Sequence, residues 1–126
     1  MPLTEVPEHV RRFVVEAIDS VPELEALLLL RTARDRDWSP EDAGARLYVS
    51  LPVATHVLAA LTARGLLVAE DGAFRYAPAR QDLEAVIADL ATAYSEHLIA
   101  VTRLIHGKPA PSVRQFADAF RLRKET

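Results

Sequence analysis

Apolar residues recur at three- and four-residue steps along most of this chain, and the pattern gives way to short apolar runs only between residues 66 and 76. The first helical stretch spans Pro7 to Asp19, where Val10, Phe13, Val14, Ala17 and Ile18 form one stripe. Ser20-Val21-Pro22-Glu23 opens a second helix in a capping-box arrangement, serine capping the amide three residues on while the glutamate reaches back. That helix runs to about Arg34, and Leu24, Leu27, Leu28 and Leu30 make an apolar surface wide enough for burial on more than one side. Asp35-Arg36-Asp37 is a polar break, and Trp38 precedes the next cap as a hydrophobic staple residue would.

Ser39, Pro40 and Asp42 begin a short third helix that ends near Leu47 or Tyr48. After the turn at Val49-Ser50, Ser50 caps a fourth helix, with Pro52 in its first turn and Val53, Val57, Leu58 and Leu61 assigned to its inward face. Gly65 is placed to end it, since a residue just past a helix often needs positive φ. Leu66 to Val68 and Phe74 to Tyr76 are strand candidates around the turn Glu70-Asp71-Gly72, and Pro78 ends the second.

From about Arg80 to Ile105 the spacing predicts one long helix, with Leu83, Ile87, Leu90, Tyr94, Leu98, Val101 and Ile105 on its stripe. At 1.5 Å per residue it would be about 40 Å long, more than a small domain can cover, so a second copy of the chain is the expected cover. His106-Gly107-Lys108-Pro109-Ala110-Pro111 reads as a stiff linker, and Ser112 to Gln115 as a capping box opening a last amphipathic helix with Phe116 and Phe120 on one face. The chain thus divides into an N-terminal helix (residues 1–20), a helix–turn–helix with a hairpin (21–78), a long dimerisation helix (79–106), and a linker with a C-terminal helix and basic end (107–126). The expected class is mainly α with a small β-hairpin.

Composition narrows the chemistry. The 126 residues suit one domain, and half of them are hydrophobic, ordinary for a globular protein. The absence of cysteine removes disulfides, thiol redox chemistry and thiolate metal sites. The N-terminus lacks a basic segment followed by an apolar one, and the longest apolar run, Ala26 to Leu30, is far below the ~20 residues of a bilayer span, so a cytoplasmic protein without a membrane is expected. Net charge is -3, but from Arg103 onward six basic residues face only Asp118 and Glu125.

His9, His56, His97 and His106 have no metal-ligand spacing, and no phosphate loop or nucleophile elbow occurs. Asp35-Arg36-Asp37 lacks the glycine and glutamate of a calcium loop. No catalytic residue, metal or cofactor is assigned, and an enzyme is not expected.

The run Val53-Ala54-Thr55-His56-Val57-Leu58-Ala59-Ala60-Leu61-Thr62-Ala63-Arg64-Gly65-Leu66-Leu67 resembles the second helix and strand that follow the turn in winged helix-turn-helix transcriptional regulators, most nearly the MarR-type and related bacterial regulators. The resemblance covers residues 21–76 and implies a homodimer on double-stranded DNA, with this helix in the major groove and the hairpin as a wing on the backbone. It places groove contacts on Thr55 and His56, and phosphate contacts on Arg64 and Arg75. Arg80 and Arg46 join them as further cations, and Leu83, Ile87, Leu90, Tyr94, Leu98, Val101, Phe116 and Phe120 become the dimer interface. Where members of that family carry basic residues, this chain has Ala59 and Ala60, and seven arginines against six carboxylates from Arg31 to Arg80 leave the unit only +1. The alternative is a winged-helix module whose second-helix face and phenylalanine tail bind another protein.

Overall fold

A computed structural model describes residues 6–107. The proposed last helix, with Ser112, Phe116, Phe120 and the basic end, lies outside the described residues. Among the described residues there are six helices and one two-stranded antiparallel hairpin: a mainly α protein.

Helix α1 (Glu8–Ala17) buries Val10, Phe13 and Val14. Helix α2 (Val21–Thr32) begins where Ser20 Oγ accepts from the Glu23 amide at 3.2 Å. The Glu23 carboxylate reaches back as the capping box requires, but to the amide of Asp19, at 2.8 Å. Leu24, Ala26, Leu27 and Leu30 are wholly buried, because α2 packs against the third and fourth helices and the hairpin together.

Helix α3 (Pro40–Leu47) is capped by Ser39 and α4 (Leu51–Ala63) by Ser50, each hydroxyl accepting from the amide three residues on. Between them the chain bends by 109°. Gly44 of α3 permits the crossing, since a Cβ there would lie 3.4 Å from Ala54 Cβ and 3.1 Å from the Val49 carbonyl. Three of the four residues assigned to the inward face of α4 keep that place, and Ala54 at the crossing takes the fourth. Ala54, Val57, Leu58 and Leu61 face inward, while Val53, assigned to the core from spacing, is exposed.

At the other end of α4, Gly65 takes φ +80, its amide donates to Thr62 O, and the Leu66 amide donates to Leu61 O. This is the paired closure in which a left-handed residue turns the chain and two buried leucines meet across it.

Strands β1 (Leu67–Glu70) and β2 (Ala73–Tyr76) pair in the register Leu67↔Tyr76 through Glu70↔Ala73. Asp71 and Gly72 both have positive φ, the turn whose twist matches an antiparallel hairpin. Trp38 adds a bridge to Phe74, with backbone hydrogen bonds of 2.7 and 2.8 Å, so the segment before α3 is tied to the hairpin.

The long helix expected over residues 80–105 is two helices, α5 (Gln81–Glu96) and α6 (Leu98–His106), broken at His97 (φ -137°, ψ 56°). Because of the break, both reach α1, a helix of only 10 residues that could not lie along a straight rod of that length. Ile87, Leu90, Val101 and Ile105 are consequently buried in a core continuous with α1 and α2. Cover expected from a second chain is largely supplied by the same one.

Candidate functional site

Among the described residues, the outer face of α4 in the α3–turn–α4 unit is exposed. On α4 the exposed positions are Leu51, Pro52, Val53, Thr55, His56, Ala59 and Ala63. α4 contains no Asp, Glu, Lys or Arg, and the carboxylates nearest its face are Asp19 and Glu23, which share a groove with Val53 and His56. Thr55 and His56 lie together on it, as the sequence suggested. The hairpin follows directly behind the C-terminus of α4, and Arg75 is exposed on β2.

The predicted cations are not brought together. Arg64 points inward: Nη1 donates to the Ala17 carbonyl at 2.7 Å and to Glu23 Oε1 at 2.5 Å, and Nη2 donates to Asp19 Oδ2 at 2.9 Å. With Glu23 nearly buried, Arg64 is a clamp fixing the end of α4 to the α1–α2 junction, and it is not presented to a ligand. Arg75 pairs with Asp37 at 3.1 Å and Arg80 with Asp82 at 3.0 Å, all four side chains exposed. Arg46 is exposed, 5.5 Å from the Trp38 ring, and has no carboxylate partner among the described residues.

Two further arginines brace the hairpin against α5. Arg31 and Arg34 both contact Glu84, at 3.1 and 3.5 Å, and the Tyr76 hydroxyl donates to the same carboxylate. Burial pulls the Glu84 carboxyl upward, but the Tyr76 hydrogen bond and the two guanidinium charges outweigh it, so it lies below its ordinary value. Burial, reinforced by Glu84, raises the Tyr76 phenol above the usual tyrosine range. Arg36 stacks 3.8 Å over Trp38 while its guanidinium reaches Asp42 at 3.2 Å.

Of the proposed dimer residues, Ile87, Leu90 and Val101 are buried within the chain, and Leu83 and Tyr94 are half-buried. Leu98 is 53% exposed and its neighbour Ile99 65%, at an open cavity beside the helix break that Glu96, His97 and Arg103 also line.

Spacing missed Tyr48. It is 94% exposed and adopts φ 59°, ψ 42° at the end of α3, the left-handed position that glycine usually fills. The missing glycine at a predicted helix end was the available signal. A second groove, between the starts of α2 and α4, is lined by Asp19, Ser20, Pro22, Glu23, Pro52, Val53, His56 and Val57.

Among the described residues no group of histidines and carboxylates is arranged to hold a metal, and no single helix is long and apolar enough to cross a membrane. Compared with known proteins, the chain matches no family model, no curated protein and no solved structure.

Proposed function

We propose that this protein is a winged helix-turn-helix transcriptional regulator, similar in kind to the MarR-type regulators, which binds double-stranded DNA as a homodimer in the cytoplasm. One observation carries the reading: two serine-capped helices meet at a 109° bend across a three-residue turn, leaving the second helix free on its outer side and followed at once by a hairpin. A bend of roughly 90–120° across a short turn is the geometry with which such a helix enters the major groove. In this reading Thr55 and His56 of α4 meet base edges and the β1–β2 hairpin lies on the backbone.

Phosphate attraction comes from a short set of side chains. Arg46 is directly available, whereas Arg75 and Arg80 exchange exposed carboxylates for phosphates, an exchange of low cost because water and salt screen an exposed ion pair. Two half-sites joined in a dimer raise a modest affinity through effective concentration. With Ile87, Leu90 and Val101 occupied in the core, the dimer contact centres on Leu98 and Ile99, with Phe116 and Phe120 of the tail.

The experiment is a fluorescence-anisotropy titration of genomic duplexes at several salt concentrations. Among the described residues, three arginines per protomer give six phosphate contacts per dimer, which contribute about -5 to the slope of log K against log salt, and the basic tail adds to it. His56→Ala and Arg75→Ala should weaken binding. Absence of binding even at low salt refutes the reading. The second reading, a protein-docking module, is favoured by the apolar character of the exposed Tyr48, Leu51 and Val53.

A further inference from the structure

We infer that the outer face of α4, with Tyr48 at its leading corner, recognises thymine methyl groups, so that the DNA this protein selects is thymine-bearing in the major groove. The inference rests on the DNA-binding reading and assigns its substrate class.

Tyr48 is the starting point. A left-handed backbone is unfavourable for a residue with a Cβ, and Gly or Asn would relieve it. The side chain returns nothing to the fold, being 94% exposed. Leu51 and Val53, in the first turn of α4, are also exposed, and Pro52 between them fixes the backbone that carries them. Three large side chains around the α3–α4 turn thus keep 94% (Tyr48), 48% (Leu51) and 41% (Val53) of their surface open.

The chemistry of the face selects among base edges. Guanine is read by Arg or Lys donating to its O6 and N7, and α4 contains neither. The one apolar feature that base pairs display in the major groove is the C5 methyl of thymine. Leu51, Val53 and Tyr48 match that methyl, while Thr55 and His56 supply the hydrogen-bonding groups alongside. α4 itself has no carboxylate, the adjoining Asp19 and Glu23 are held by Arg64, and Arg46, two residues before Tyr48, has no carboxylate partner among the described residues. Exposed Ser50, Thr55 and His56 interrupt the apolar residues, as base edges interleaved with methyls require and a continuous protein-docking patch does not.

The test starts with a random duplex pool enriched on the full-length protein. Enriched duplexes are resynthesised with deoxyuridine replacing thymidine, which removes only the methyl. Each contacted methyl lost should weaken binding about fourfold, as expected for one buried methyl-sized group. Leu51→Ser and Val53→Ser should each narrow the difference in affinity between thymine and uracil duplexes. Tyr48→Gly should melt at a higher temperature and bind more weakly, a combination that a purely structural tyrosine cannot give. Equal affinity of the native protein for thymine and uracil duplexes overturns this inference and leaves DNA binding standing. Enrichment of no duplex overturns both. Undiminished DNA binding by Tyr48→Gly removes Tyr48 from the reading surface and overturns the proposal for that corner.

Discussion

Replacing Arg64 with alanine should destabilise the fold rather than merely weaken a surface contact. The guanidinium makes three hydrogen bonds, to the Ala17 carbonyl, to Glu23 and to Asp19, joining the end of α4 to the α1–α2 junction. Its removal leaves the Glu23 carboxylate, 5% exposed, with the Asp19 amide as its remaining hydrogen-bond donor among the described residues. Breaking a fully buried ion pair from one side costs about 3–5 kcal/mol, mostly the penalty of the stranded charge. Arg64 itself keeps 28% of its side-chain surface and Asp19 17%, so water recovers part of that. A loss of about 2 kcal/mol follows, or about 8 °C in Tm for a chain of this size. Calorimetry or urea unfolding followed by circular dichroism measures it. Adding Glu23→Gln to the Arg64→Ala variant should restore part of the loss, because a neutral amide strands no charge. Unchanged melting together with collapsed DNA binding would refute the internal role and return Arg64 to the phosphate contacts.

Three other outcomes follow from the geometry. Gly44→Ala should lower stability by about 1 kcal/mol in urea unfolding, because overpacking at the α3–α4 crossing, about 1–3 kcal/mol, exceeds the ~1 kcal/mol helix-propensity gain; a net gain would mean the crossing is looser than the 3.1 Å approach to Val49 O implies. The Tyr94 phenol is pushed up to about 12 by burial first and then by Glu25, so the native state keeps a proton that the unfolded chain sheds above its ordinary 10.0. Its contribution is therefore complete below pH 10 and lost towards pH 12, and Tyr94→Phe should flatten the fall of the urea midpoint across that window. Light scattering should report about twice the 13.9 kDa chain mass, and Ile99→Asp should reduce it towards one, whereas a monomeric native protein removes the dimer.

Local chemistry carried much of the fold in the sequence alone. Ser20, Ser39 and Ser50 started helices where expected, and Gly65 ended one, because capping depends on residues within four positions of each other. Asp71-Gly72 likewise fixed the hairpin through backbone geometry that few other residues tolerate. The candidate site was legible in part: Thr55 and His56 are exposed together, as periodicity implied.

Tertiary structure decided the rest, because it sets which distant residues meet. Arg64 reads in sequence as a cation closing a recognition helix, and becomes a clamp only because Asp19 and Glu23, more than forty positions away, fold beneath it. The break at His97 has no proline or glycine to announce it; it arises because α1 is short and both halves of the stripe are buried against it. Ala54 rather than Val53 faces the core because α4 meets Gly44 of α3 there at close range, a neighbour that a side chain's size in the sequence does not reveal. Spacing along a helix specifies that a face exists, and only its neighbours in space determine whether that face is core, clamp or open surface.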